Sequence, residues 1–127
     1  MNIPDHLRYS AGHLWAQADQ DGLWLAGITD YAQDLLGDIV YVEAPAPGTQ
    51  IEAGKACGLV ESVKTGSDLH APLSGVVEAV NTDLQNTPEQ INDAPYKAWI
   101  FKFRPDDSAE AARLMDSTAY SSFLGNQ

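Results

Sequence analysis

Basic residues are scarce in this chain: seven lysines and arginines stand against eighteen acids, a net charge of −11 over 127 residues. A surface that negative repels nucleic acid and anionic lipid, so neither is expected as a partner, and it favours docking onto basic patches of other proteins. Cysteine is rarer still. The single Cys57 excludes an internal disulfide and fits a reducing compartment. Its place in the apolar run ACGLV reads as a buried, inert thiol. Long apolar runs are missing too, none approaching the roughly 20 residues that span a bilayer. The start, MNIPDHLRYS, has neither the charged nor the apolar region of a signal peptide. These absences lead to the expectation of a cytoplasmic, monomeric protein. What the chain does have is 44% apolar residues, which suits one globular domain burying roughly two-thirds of its unfolded surface.

Groupings that carry catalysis are also thin. His6, His13 and His70 have no mutual spacing that suggests a metal site. Cys57 has no neighbour that would make a Cys/His nucleophile, and Gly22, Gly27 and Gly37 read as separate turns or caps rather than a phosphate loop. Trp15, Trp24, Tyr31, Tyr41, Tyr96 and Trp99 read as packing residues. The expectation is a protein that is not an enzyme.

Short strands punctuated by turns account for the middle of the chain. Leu14 to Ala18 and Leu23 to Ile28 flank a polar stretch and predict a hairpin. Thr29 to Gly37 predicts a short helix, with Asp30 and Gln33 resembling a capping box and Gly37 as the left-handed stop. Asp38 to Glu43 is β-branched and aromatic and predicts a strand, ended by Pro45, Pro47 and Gly48. Ala56 to Glu61 and Asp68 to His70 predict the arms of a hairpin around Lys64, and Pro72 to Gly75 turns into a strand over Val76 to Val80. A late strand is expected over Trp99 to Phe103, then a helix capped by Asp107 and Glu110 and running through Met115, and a last helix with Tyr120, Phe123 and Leu124 on one face. Gly48 and Gly75 read as turn positions that need positive φ or close backbone approach. The turns before and after Lys64 echo one another, and a half-repeat of two sheets would form a flattened barrel with Lys64 at one tip. The whole is a mainly β, barrel-sandwich domain over 1–127, with its core at about 12–104 and C-terminal helices at about 107–124.

Lys64 therefore stands at a hairpin tip in a chain with few lysines, inside the block ESVKTGSDLHAPLSG. That block, the opening LRYS with His13 and Trp15, GITDYAQDLLGDIVYVE, and Asn92 with Pro95, Tyr96 and Trp99 together resemble the glycine cleavage system H proteins. These are the lipoyl-carrying members of the biotinyl/lipoyl fold family, and the likeness covers nearly the whole chain. The resemblance implies lipoic acid in amide linkage to Lys64, with Glu61, Ser62, Ser67, Asp68, Gly48 and Gly75 as its neighbours in the motif and His13, Leu14 and Trp15 at a cleft. It implies modification by lipoate ligase, or by octanoyltransferase and lipoyl synthase. Biotin is disfavoured because Val63 and Thr65, not methionines, flank the lysine. An ε-amine on a fixed turn suits this role: its stem stays mobile while the backbone is held, and the acylated arm becomes a group carrier.

Two departures leave the cargo open. The family's Ser-His-Glu-Trp is Gly12-His13-Leu14-Trp15 here, and its glycine-bearing loop before Trp is shortened to Pro95-Tyr96-Lys97-Ala98-Trp99. One reading is aminomethyl transfer in glycine cleavage, with glycine decarboxylase, aminomethyltransferase and dihydrolipoamide dehydrogenase as partners. The other is an H-like lipoate-binding protein of bacterial sulfur oxidation, carrying sulfur intermediates for a heterodisulfide-reductase-like complex, for which Leu14 would suffice.

Overall fold

The computed structural model describes residues 1–125; residues 126 and 127, included in the single-domain reading, lie outside the described residues. A two-residue strand, β1 (Arg8–Tyr9), pairs with β2 (Leu14–Ala18), which forms the expected hairpin with β3 (Trp24–Ile28) in register Leu14↔Ile28 to Ala18↔Trp24. Helix α1 (Asp30–Leu36) follows and stops at Gly37, whose φ of 82° only glycine adopts readily. Its cap differs from expectation. Thr29, not Asp30, caps the helix by accepting from the Ala32 N–H, while Asp30 Oδ1 accepts from the Gln33 amide at 2.7 Å.

Strand β4 (Ile39–Glu43) comes next, then the short β5 (Gln50–Ile51). The lysine hairpin is β6 (Ala56–Ser62) and β7 (Gly66–His70), each slightly longer than its sequence signal. After β8 (Gly75–Val80) come two one-turn helices that the sequence reading missed, α2 (Asp83–Asn86) and α3 (Gln90–Asp93). Strand β9 runs over Phe101–Pro105, two residues later than expected, because Trp99 closes a tight turn onto the Lys97 carbonyl. The expected helix through Met115 is instead a 3-10 segment, Ser108–Arg113. Met115 leaves it to exchange two backbone hydrogen bonds with Tyr9, both 2.8 Å. The last helix, α4 (Ser117–Gly125), buries Tyr120 as its apolar face predicts.

These strands make two antiparallel sheets, one of six strands in the order β1-β2-β3-β9-β8-β5 and one of three in the order β4-β6-β7. The architecture is the mainly β sandwich expected from the sequence. Its strands divide six to three, so the echo of Gly and Pro turns does not mark two matched halves. Period-2 alternation decides what lies on each face. Leu14, Ala26, Ile28, Phe101 and Phe103 of the larger sheet meet Ile39, Val42, Val60 and Leu69 of the smaller one in the main core. Each large apolar side chain withdrawn from water there contributes about 1.5–3 kcal/mol. Trp15, next in sequence to Leu14, belongs to a second cluster with Leu7, Tyr9 and Tyr120, packed by residues of α4. The Tyr9 and Tyr120 rings stack at 4.7 Å.

Candidate functional site

The turn that carries Lys64 is organised by one hydroxyl. Ser62 Oγ accepts from the N–H groups of Lys64 (3.3 Å) and Thr65 (3.1 Å) and donates to the Thr65 carbonyl (3.1 Å). The same carbonyl accepts from the Ser62 N–H at 2.7 Å. Ser62 is buried, so four hydrogen bonds within four residues hold the backbone while Val63, Lys64 and Thr65 remain exposed. Outside the turn, the Val63 N–H donates to the Asp38 carbonyl at 3.0 Å, docking the tip on the corner between α1 and β4. Among the described residues Lys64 makes no ion pair.

Ladder register places the neighbouring acids. Glu61 pairs with Tyr41 and Gly66, and Asp68 pairs with Leu59, so Glu61 and Asp68 share one face of the small sheet and both are exposed. Ser67 pairs with Val60, on the opposite face. A small groove of about 130 Å³ runs beside the hairpin, with Ala32, Leu35 and Leu36 of α1 on one side and Val60, Ser67 and Asp68 on the other. His13 and Leu14 line it as well, so two of the three expected cleft residues are brought beside the hairpin. Trp15 is not, which corrects the reading of 13–15 as one cleft. Strand alternation turns it to the other face, where its indole N–H donates to the Pro95 carbonyl at 3.0 Å.

His13 holds a positive φ of 66°, a strained conformation for a side chain with Cβ. Its Nδ1 lies 2.9 Å from the Tyr120 hydroxyl, which also lies 2.8 Å from Thr29 Oγ1. Tyr31, Tyr120 and Phe123 surround the ring, and burial pushes His13 below its ordinary pKa. Cys57 is half-buried rather than fully buried as expected, and that burial pushes its thiol up to about 11.

The two expected glycines lie away from the tip. Gly48 precedes β5 with φ 89°, its N–H donating to the Val77 carbonyl, and Gly75 begins β8. A Cβ on Gly75 would sit 2.3 Å from the Arg104 carbonyl oxygen, so close backbone approach is what its glycine serves. Their roles are in the sheet, not in contact with Lys64. A larger cavity of about 470 Å³ between β4 and α2 is lined by Val42, Pro47, Leu84 and Ile100 and includes none of the expected site residues. The sequence reading missed Asn92 as a structural partner of the site: its amide bridges Gln33, Gly37 and Ile39, contacts separated by more than fifty residues that no local signal reports.

Among the described residues no helix is long and apolar enough to cross a membrane. The profile of the family described as "Glycine cleavage H-protein" matches residues 7–127. A glycine cleavage system H protein of Methylobacillus flagellatus is 63% identical over 125 residues, 98% of this chain and 100% of that protein. One from Acinetobacter baumannii is 50% identical over the same share of each. The crystal structure of a glycine cleavage system H protein from Mycobacterium marinum superposes with a TM-score of 0.88 at 39% identity, covering 97% of this chain and 99% of that one. These relatives give the sulfur-oxidation alternative and its heterodisulfide-reductase-like partner no support.

Proposed function

As this chain belongs to the glycine cleavage H-protein family, we propose that Lys64 is its attachment point for lipoic acid and that it serves aminomethyl transfer in glycine cleavage. Membership bears out a carrier protein rather than an enzyme, with lipoic acid as the covalent cofactor. Lys64 is the position that fits that group. It is exposed, unpaired among the described residues, and set on a turn whose backbone Ser62 immobilises. That combination is the observation that supports the reading most directly.

Lipoic acid, when bound, supplies a dithiolane on a long flexible stem. The chain's residues do the rest. Ser62 fixes where the stem leaves the surface, and the exposed ε-amine is open to the modifying enzyme, lipoate ligase or octanoyltransferase with lipoyl synthase. Glu61 and Asp68 present charge beside it for recognition by that enzyme and by glycine decarboxylase, aminomethyltransferase and dihydrolipoamide dehydrogenase. Tethering keeps the arm at high effective concentration for successive partners. Ser67 turns a hydroxyl toward a groove whose other walls are largely apolar, while Asp68, also part of its lining, faces outward with Glu61. The setting is a monomer in the cytoplasm.

The test is intact-mass measurement after expression with lipoic acid and a competent ligase. One lipoyl increment is expected in the wild type and none in Lys64→Arg, whose stability should stay within about 0.5 kcal/mol of wild type. An unmodified wild type under those conditions overturns the reading.

A further inference from the structure

The helix stop at Gly37 has a neighbour that a stop does not require. A Cβ built there would lie 3.2 Å from Cε of Lys64, 3.7 Å from Nζ and 3.9 Å from Cδ. The outer half of the lysine stem thus rests across the glycine backbone. Left-handed geometry alone does not bring such a neighbour. Gly48 and Gly54 also have positive φ, 89° and 79°, and a Cβ on either would meet nothing within 4 Å.

The corner under the stem is held from two sides. On one, the Val63 N–H bonds the Asp38 carbonyl, fixing the tip one residue beyond the glycine. On the other, Asn92 of α3 donates from Nδ2 to the Gly37 carbonyl and to Gln33 Oε1, both 2.9 Å, while its Oδ1 accepts from the Ile39 N–H at 2.8 Å. One side-chain amide thereby ties the helix end, the glycine and the first residue of β4 together. Immediately before Gly37 come Leu36 and Leu35, which wall the groove beside the hairpin.

We infer that Gly37 is a positioning residue for the arm: it is a seat that lays the Lys64 stem across the end of α1 and directs whatever Nζ carries along the groove, with Asn92 holding the seat in place. This rests on the reading of Lys64 as the attachment point. A methyl group on residue 37 would crowd Cε at 3.2 Å and push the stem off its place on the glycine by a few tenths of an ångström.

The seat is tested by NMR on isotopically labelled wild type, Gly37→Ala and Gly54→Ala. The last shares the cost of a side chain at positive φ but leaves Lys64 untouched. Each is measured before and after lipoylation, with the increment at Lys64 checked by mass. In wild type and Gly54→Ala, nuclear Overhauser contacts are expected between the Lys64 ε protons and the Gly37 α protons, and lipoylation should shift the Leu35 and Leu36 methyl signals. In Gly37→Ala that lipoylation-dependent shift should shrink at least about twofold. If Gly37→Ala does not fold, Asn92→Asp replaces it, since it keeps the acceptor for Ile39 and loses the donor to Gly37; the same shrinkage is expected. Absence of the contact in wild type, or shifts in the variant equal to those of wild type, overturns the seat. Absence of the mass increment in wild type overturns the attachment reading instead, and the contact in the unmodified chain is then still measurable.

Discussion

The lysine turn and the aromatic cluster under α4 are assembled in opposite ways. At the tip, Ser62 makes its side-chain bonds to residues two and three positions on, and the turn's residues face water. In the cluster, Tyr120 is wholly buried and reaches Thr29 across 91 residues and His13 across 107. The tip thus owes its shape to bonds that a short peptide could form, steadied by one contact to Asp38, whereas the cluster exists only when both ends of the chain are in place. The proposed attachment point sits on an exposed turn, where a substitution costs the fold little. The buried cluster ties distant parts of the chain together.

Breaking the cluster should have the largest effect on stability. Tyr120→Ala removes a fully buried ring and its hydroxyl partners, and should cost roughly 3–5 kcal/mol, lowering the melting temperature by about 10 °C or more. Lipoylation of the fraction that remains folded should be unaffected. A loss of lipoylation at unchanged stability would place Tyr120 at the site and erase the contrast.

Gly75→Val comes next. Its Cβ would enter the space of the Arg104 carbonyl, with a cost of about 1–3 kcal/mol in denaturant unfolding and no direct effect on Lys64. Gly48→Val, whose side chain meets nothing within 4 Å, should cost less than Gly75→Val and only through its positive φ. Equal costs at the two positions would mean that the close approach at Gly75 costs no more than the positive φ at Gly48.

Ser62→Ala sharpens the comparison from the other side. It should destabilise by only about 1 kcal/mol, yet slow modification of Lys64, because the turn loses every bond made by the hydroxyl. Unchanged ligase kinetics would show that the turn needs no lock. The smallest effect on stability is expected from Glu61→Ala and Asp68→Ala, each within about 0.5 kcal/mol on an exposed ladder. Both should impair lipoylation or partner turnover. Melting of the domain by either would make these acids structural.

Most of the strands were legible because period-2 patterns and Gly/Pro turns are local signals. The hairpin around Lys64 followed from them, and the helix ending at Gly37 and the burial of Tyr120 followed from helical spacing, an equally local signal. Elements that owe their form to a distant partner were not. Met115 leaves its expected helix because Tyr9 offers a strand bond, and Trp99 is lost from β9 to a turn. The cap of α1 passed from Asp30 to Thr29, although both residue types suit that role.

By itself, then, the sequence determined that a lysine stands exposed between two short strands, flanked by acids and a serine, in an acidic β domain. Bonds spanning only a few residues build that turn, so its chemistry can be read from neighbours in the chain. Tertiary structure alone decided what lies around it. Packing of the two sheets put Leu14 and His13 beside the hairpin. Asn92 was carried to the corner at Gly37 by the placement of α3, and the Lys64 stem came to rest on that corner. Such contacts arise from burial and loop closure over the whole chain, and no residue pattern within one segment encodes them.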